Sequence, residues 1–505
     1  MQIEPPGSVF AERYARGEAQ VVWTRLVADL ETPVSAFLKI AGGRPMSFLL
    51  ESVEGGAVRG RYSVIGLDPD LVWRAANGNA EINRTARTKS SAFERCPEPP
   101  LPSLRALIAE SRIVLPDELP PMAAGVFGYL GYDMVRLMEE LPAPNPDPIG
   151  IADAVLVRPT LVVVFDAVKD TITVVTPVRP ENGVAAPTAL TWAQERLAEV
   201  VDALDRRLDK AAAEFDAGPL EVTPKSNTTA AEYRAMVLKA KDYILAGDIF
   251  QVVLSQRFEA PFRLPPFALY RALRRVNPAP FLYFLDFGGY AVAGSSPEVL
   301  VRLRGGMVTI RPLAGTRPRG STPHEDKALE DELLADPKER AEHLMLLDLG
   351  RNDVGRVAKI GTVEVTDQFF IERYSHVMHI VSNVEGELAQ DRDALDALAA
   401  GFPAGTVSGA PKVRAMEIID ELEKEKRGLY AGCVGYFSAA GEMDSCIVLR
   451  TALIKDGTMY VQAGAGIVAD SDPAKEQAEC VNKAKALFRA AEEARRFASA
   501  AGRGQ

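Results

Sequence analysis

The chain has 505 residues, 47% hydrophobic and 25% charged, with a formal net charge of −11 and four cysteines. That length exceeds a single hydrophobic core and calls for two large domains or one composite domain. The acidic balance excludes the basic footprint of a nucleic-acid binder, and an anionic ligand would need locally placed cations.

Cys96, Cys433, Cys446 and Cys480 show no zinc or redox spacing and read as reduced thiols. The first twenty residues lack the apolar run of a secretion signal. The most apolar stretch, residues 156–168, is interrupted by Arg158, Pro159 and Asp166 and reads as a buried strand, too short for a membrane span. A cytoplasmic protein is the expectation.

In chain order, residues 18–42 predict a strand and then a helix capped by Thr32 ahead of Pro33. Ser47 to Leu50 predicts a strand, Gly55-Gly56 a turn, and Arg61 to Gly66 a second strand, with Glu51 and Ser52 where the first one ends. A strand pair follows around Asn77-Gly78, then a polar loop over 85–100. GVFGYLGY, residues 125–132, interleaves glycines with aromatics, which marks close backbone approach within a sheet. Strands are predicted at 154–166 and 170–177, and a helix at about 187–213. Residues 214–229 have loop composition, and the main boundary is placed near 225, giving segments 1–225, 226–495 and a tail 496–505.

The second segment opens with a helix over 230–248 that stops at Gly247. A strand follows with Gln251 near its start, then a helix at 267–276. Hairpins turn at Gly288-Gly289 and Gly305-Gly306, so the sheet is antiparallel rather than a nucleotide-binding βαβ arrangement. A helix runs from Asp336 to about Asp353, with a strand at 360–366. His376 and His379 lie in the next stretch. FPAGTVSGAPK is a glycine-rich loop opening a helix, whose Thr406, Ser408 and Gly409 could offer donors to an anion. Residues 429–468 predict a three-strand meander with turns near Gly441 and Gly457. Strands first, helices segregated, and no βαβ alternation place the chain in the α+β class, with largely antiparallel sheets in a composite sandwich and helices outside.

Two helix starts repeat one pattern. Asp336-Pro337 precedes Glu339 and Glu342; Asp472-Pro473 precedes Glu476 and Glu479. Asp caps free N–H groups, Pro suits the first turn, and carboxylates three apart share a face. Converging, these faces suit a hard divalent cation; apart, they are two solvated acidic helix starts. Arg450 and Lys483 are candidate carboxylate partners. No phosphate-binding loop, nucleophile elbow or zinc-protease motif occurs.

GSSPE, PLAGT, EHLMLLDLGRND, FPAGTVSGAPK, GCVGYF, DSCIVLR and GAGIVADSDPAKEQAE, in this order, resemble the chorismate-utilising enzymes. That family comprises anthranilate synthase component I, aminodeoxychorismate synthase component I, and the isochorismate and salicylate synthases. The resemblance is dense over 228–490, and LLES and GVFGYLGYD fit the long, amidotransferase-dependent members. Gln251 stands where the water-activating members carry lysine, which implies an external nucleophile such as ammonia. Ala314 matches anthranilate synthase and argues against the aminodeoxychorismate branch. A non-catalytic relative that only binds chorismate or tryptophan is the alternative of another class.

The resemblance implies Mg²⁺ on Glu342 and Glu479, with Glu339 and Glu476 as further ligands or behind them. Gly315, Thr316, Tyr430, Arg450, Gly464, Ala465, Gly466 and Lys483 would contact chorismate. Gln251, Glu298, Thr406 and His379 would serve catalysis, Glu298 as general acid and His379 in the second step. Glu51, Ser52, Pro280, Phe281, Leu282, Val434, Tyr436 and Cys446 would line an inhibitory L-tryptophan pocket. A separate glutamine amidotransferase subunit would supply ammonia, in a heterotetramer of two copies of each chain.

Overall fold

A computed structural model describes residues 1–54, 58–208, 223–374 and 377–498. The turn expected at Gly55-Gly56, His376, and parts of the loop at 214–229 and of the C-terminal tail lie outside the described residues. The described strands form one network of 22, antiparallel at every pairing.

Two long strands, Val58–Ala76 and Ala154–Asp166, pair along their length with a register shift at Pro69/Leu71. On one side of the shift the network continues through Ser47–Glu54, Phe281–Asp286, Tyr290–Ser296, Thr451–Lys455 and Thr458–Ile467 to Gln251–Pro261. On the other it continues through Gly125–Leu130, Cys433–Ser438, Met443–Ile447, Val299–Arg304 and Met307–Ile310 to Val377–Glu387.

Alternation along these strands shows how the layers stack, because successive side chains point to opposite faces. Phe48, Tyr283 and Leu453 pack in one central cluster with Phe127, Tyr436 and Cys446. Their neighbours Leu49, Phe284 and Ile454 pack instead beneath the helices Pro33–Ile40, Ala186–Asp205, Pro266–Val276 and Pro473–Glu493. Val126 and Ile447 pack beneath Pro100–Glu110, Ala230–Ala246 and Lys412–Leu422. The result is a sheet-on-sheet sandwich with a helical layer on each outer face, the α+β class expected. Both sheets draw strands from either side of residue 225.

Local sequence accounts for most boundaries. Thr32 caps its helix in a reciprocal pair with Ser35, and Thr229 does the same with Glu232. The glycines of 125–132 permit close approach: a Cβ on Gly128 would lie 2.0 Å from the Val155 carbonyl oxygen. Several expectations need correction. The strand beginning at Ser47 runs to Glu54, so Glu51 and Ser52 lie inside it. The helix expected over 187–213 ends at Asp205, and the strand placed at 360–366 is Glu364–Arg373.

The supposed three-strand meander is two hairpins, Cys433–Ser438 with Met443–Ile447 and Thr451–Lys455 with Thr458–Ile467, which join different sheets. Arg450 sits in the break between them at φ 48°, a left-handed conformation costing a non-glycine residue about 1 kcal/mol or more. Helices Gly7–Ala15, Pro100–Glu110 and Pro323–Ala335 had no sequence expectation, the second because its paired prolines read as loop although Pro fits a first turn.

Candidate active site

The two acidic helix starts converge. Asp336 accepts hydrogen bonds from the N–H of Lys338 and Glu339 at 2.9 and 3.3 Å, and Asp472 from those of Ala474 and Lys475 at 2.9 Å each. Lys338 of the first helix pairs with Asp470 ahead of the second at 3.0 Å, tying the starts together. Glu339, Glu342, Glu476 and Glu479 all line one cavity of about 610 Å³, within the ~300–1,000 Å³ usual for small-molecule sites.

Each of these carboxylates has its own surroundings. Gln251 heads the strand Gln251–Pro261, and its Nε2 donates to Glu342 at 3.0 Å. A Cβ on Gly466 would lie 2.7 Å from that Nε2, so a side chain there would displace the Gln251 amide. Burial pushes the Glu342 carboxyl up, and the charges of Glu339 and Glu479 push it further. Burial likewise raises Glu476, with Glu479 adding to it. Glu479 pairs with Lys483 at 2.7 Å, and Lys483 also donates to the Gly464 carbonyl at 2.9 Å. Glu339 receives Arg317 at 3.1 Å.

Four carboxylates around one cavity, with Glu342 and Glu476 raised by burial and by neighbouring charge, are hard oxygen donors of the kind a magnesium ion takes. Among the described residues no three acidic, histidine or cysteine side chains already close on a point as a metal cage. The donor chemistry fits such an ion.

The same cavity holds the acid–base groups. Glu298 is buried at the end of the GSSPE segment, and burial pushes its carboxyl up to about 8. The Thr406 hydroxyl lies 3.0 and 3.1 Å from its two oxygens. At neutral pH this group carries its proton, as a general acid must.

His379 lies opposite Thr316 on paired strands. Its Nδ1 is 2.9 Å from the Thr316 hydroxyl and 3.2 Å from the Gly315 carbonyl. A carbonyl only accepts, so Nδ1 carries the proton and Nε2 keeps a lone pair. Nε2 is buried with no partner among the described residues. Burial and then the Arg450 charge push this imidazole down to about 4, leaving it a neutral base at pH 7. Gly315 turns the chain at φ 79°, where a Cβ would also press on Ile380 at 3.1 Å.

Arg450 has no carboxylate partner in any ion pair among the described residues, and burial lowers its pKa. An unpaired cation beside Lys483 is a binding position for an anion. Thr316, Tyr430, Gly464 and Gly466 line the same cavity. Ala465 departs from the expected set: strand alternation turns its methyl into the core beneath the helices, with Leu254.

A second cavity of about 600 Å³ lies between the sheets and touches the first along Pro297, Glu298 and Leu313. Strand pairing sets Ser52 opposite Phe281 and Glu51 opposite Leu282. Together with Pro280, Val434, Tyr436 and Cys446 these residues line it, as one group. The Glu51 carboxylate is held by Arg274 at 2.7 and 3.0 Å and by the Tyr270 hydroxyl, and Ser52 Oγ donates to the Tyr62 carbonyl at 3.0 Å. An outer recess of about 680 Å³ adjoins the first cavity along Val377, Arg450, Glu479 and Lys483 and adds Lys475 and Asn482.

Sequence reasoning did not pick out Lys338, Pro297, Gln462, Ser471 or Tyr374, all of which line these cavities. Lys338 had a signal, its place one residue past Asp336-Pro337; Tyr374 had none.

The model of the family described as chorismate binding enzyme matches residues 62–489. The chain belongs to the chorismate-binding enzymes. It is 62% identical over 498 residues to anthranilate synthase component 1 of Cereibacter sphaeroides, covering 98% of this chain and 99% of that one. It is 48% identical over 476 residues to anthranilate synthase component 1 of Aquifex aeolicus, covering 93% and 94%. Among solved structures, anthranilate synthase component I of Streptococcus pneumoniae superposes with a TM-score of 0.75 at 38% identity, covering 92% of this chain and 99% of that one. The menaquinone-specific isochorismate synthase of Escherichia coli shares the fold at a TM-score of 0.67 and 20% identity, covering 96% and 99%. Among the described residues no helix is long and apolar enough to cross a membrane.

Proposed function

We propose that this chain is an anthranilate synthase component I, converting chorismate and ammonia to anthranilate and pyruvate in the first step of tryptophan biosynthesis. The observation that carries the reading is one cavity lined by a protonated buried carboxyl, a neutral imidazole with a bare Nε2, an unpaired arginine and four carboxylates.

Arg450 pairs with the enolpyruvyl carboxylate of chorismate, and Lys483 adds a second cation on that side. Glu342 and Glu479, with Glu339 and Glu476 behind them, would hold Mg²⁺, which would supply positive charge to neutralise the carboxylate on the ring. Gln251 has no basic lone pair to offer, so the nucleophile arrives from outside as ammonia. Ammonia bonds to ring carbon 2 while the hydroxyl on carbon 4 leaves as water, taking the proton of Glu298. The aminodeoxyisochorismate formed then loses pyruvate, and His379 Nε2 accepts the ring proton released on aromatisation. Tyr430 and the glycine-lined strand Thr458–Ile467 shape the wall against which the ring lies.

Ammonia comes from glutamine through a separate amidotransferase subunit, in a cytoplasmic heterotetramer of two copies of each chain. The cavity between the sheets binds L-tryptophan, the end product, and inhibits the first step. A ligand that fits only one arrangement of two layers biases them toward it.

Purified protein is mixed with chorismate, Mg²⁺ and ammonium at mildly alkaline pH, and anthranilate fluorescence is followed. Fluorescent product that stops on chelation and slows with tryptophan is expected. A 4-amino product or no turnover overturns the reading.

A further inference from the structure

Tyr374 touches both halves of this machinery. Its ring centroid lies 5.4 Å from that of His379 at an interplanar angle of 60°. It is buried and lines both the cavity between the sheets and the outer recess beside Arg450. Its hydroxyl donates to Glu372 at 2.7 Å. The other oxygen of Glu372 accepts from Arg311, and Arg311 and Glu372 both line the cavity between the sheets.

The imidazole of His379 is thereby located on two sides. Thr316 and Gly315 hold its Nδ1 edge, and the Tyr374 ring packs against it. Nε2 itself has no hydrogen-bond partner among the described residues. The Tyr374 ring in turn is fixed by its hydroxyl on Glu372 and by its backbone, where N–H donates to the Val377 carbonyl at 2.8 Å and the carbonyl accepts from Arg319 at 2.8 Å. Glu372 and Tyr374 stand two residues apart at one strand end, so a shift of the carboxylate is felt at the ring.

We propose that Tyr374 is a positioning residue for His379, and that Arg311, Glu372 and Tyr374 form the link through which occupancy of the cavity between the sheets reaches that imidazole. The second half rests on the reading of that cavity as a tryptophan pocket. The carboxylate of a bound amino acid competes with Glu372 for the Arg311 guanidinium, a planar fork that serves one carboxylate at a time with full geometry. Released, Glu372 no longer anchors the tyrosine hydroxyl, and the ring gives way from His379. The other lining arginines hold carboxylates that do not reach the tyrosine hydroxyl: Arg61 pairs with Asp166, Arg302 and Arg304 share Asp444, and Arg373 pairs with Asp326 and Glu330.

The test uses the full chain with chorismate, Mg²⁺ and ammonium, and tryptophan as the probe. Tyr374→Ala lowers kcat by roughly ten- to a hundredfold with little change in KM, because a misaligned base costs rate rather than ground-state binding. Tyr374→Phe, which keeps the ring, recovers most of that loss. Glu372→Gln still binds tryptophan by calorimetry, but the bound form retains about half or more of that variant's own uninhibited rate.

Unchanged kcat in Tyr374→Ala, or Tyr374→Phe as impaired as Tyr374→Ala, overturns the positioning role. Full inhibition of Glu372→Gln with tryptophan bound overturns the link. Failure of the unaltered protein to bind tryptophan removes the pocket reading and the link with it, while the two Tyr374 rates still decide the positioning role.

Discussion

Two cavities of nearly equal volume, about 610 and 600 Å³, share the wall Pro297, Glu298 and Leu313, yet their arginines are placed oppositely. In the cavity under the acidic helices, His379 Nε2 and Gln251 Oε1 are buried with no hydrogen-bond partner among the described residues, and Arg450 has no carboxylate among them. In the cavity between the sheets every lining arginine already has one: Arg61, Arg302, Arg304, Arg311 and Arg373 pair with Asp166, Asp444, Glu372, Asp326 and Glu330. Orphaned polar groups cost free energy in the folded chain and are relieved by a ligand. Paired ones must exchange partners when a ligand arrives. The first arrangement suits chemistry; the second suits a switch, because an exchanged ion pair moves two protein segments at once.

The largest effect expected from disturbing this contrast is at the shared wall. Glu298→Gln should lower kcat by about 10²–10⁴-fold, the usual worth of a positioned general acid. In the unaltered protein, at a fixed concentration of free ammonia, kcat/KM for chorismate should stay level between the low pKa of His379, about 4, and the high pKa of Glu298, about 8, and fall outside them. The same raised pKa has a stability consequence. The folded chain holds the Glu298 proton more tightly than the unfolded chain, whose carboxyl titrates near 4.5. The contribution is present in full below that pH and is lost as pH rises through about 8. Thermal unfolding at pH 8.5 should therefore occur at higher temperature in Glu298→Gln than in the unaltered protein. Equal unfolding temperatures, with the slow rate retained, would mean that Glu298 is not carried as a buried neutral acid.

A smaller loss is expected at the metal positions. Glu342→Gln should weaken Mg²⁺ binding in calorimetry by at least about tenfold, the lower figure seen even for groups that only support a ligand. It also removes the repulsion that raises Glu342 beside Glu339 and Glu479, so the metal-free variant should be no less stable than the parent. Undiminished Mg²⁺ affinity would place the ion elsewhere and leave the acidic faces as solvated helix starts.

How much of this was legible in the sequence depends on whether a feature is local. Asp336-Pro337 and Asp472-Pro473 announce capped helices because capping is settled within four residues, and both caps are found. The glycines of 125–132 signal sheet contact because only a missing Cβ admits the Val155 carbonyl. The two-hairpin arrangement of 433–467 was not legible, since the break at Arg450 is imposed by two different sheets taking up its two sides. Nor was the Arg274 and Tyr270 grip on Glu51, which spans more than 200 residues of chain. The site residues themselves were reached through motif order, which a family resemblance supplies and periodicity does not. Ala465 shows the limit of that route: it falls inside the GAGIVA motif, yet strand alternation turns its methyl into the core.

The narrowest effect belongs to Ser52. Ser52 packs against Gly60 of the neighbouring strand, where an added Cβ would lie 2.3 Å from its Oγ, and it lines the cavity between the sheets. A larger side chain at 52 has that cavity to enter. Ser52→Phe also gives up the hydroxyl's bond to the Tyr62 carbonyl, a loss of about 1 kcal/mol. The added ring occupies space in a cavity of about 600 Å³ that tryptophan would need. The tryptophan concentration for half inhibition should rise at least about tenfold, the worth of ~1.4 kcal/mol of lost binding. Because Ser52 is remote in contact from His379 and Arg450, the change should appear in the ratio of inhibited to uninhibited rate rather than in KM for chorismate. An unchanged ratio would separate the cavity from the inhibition and make its paired arginines a structural device of the sandwich alone.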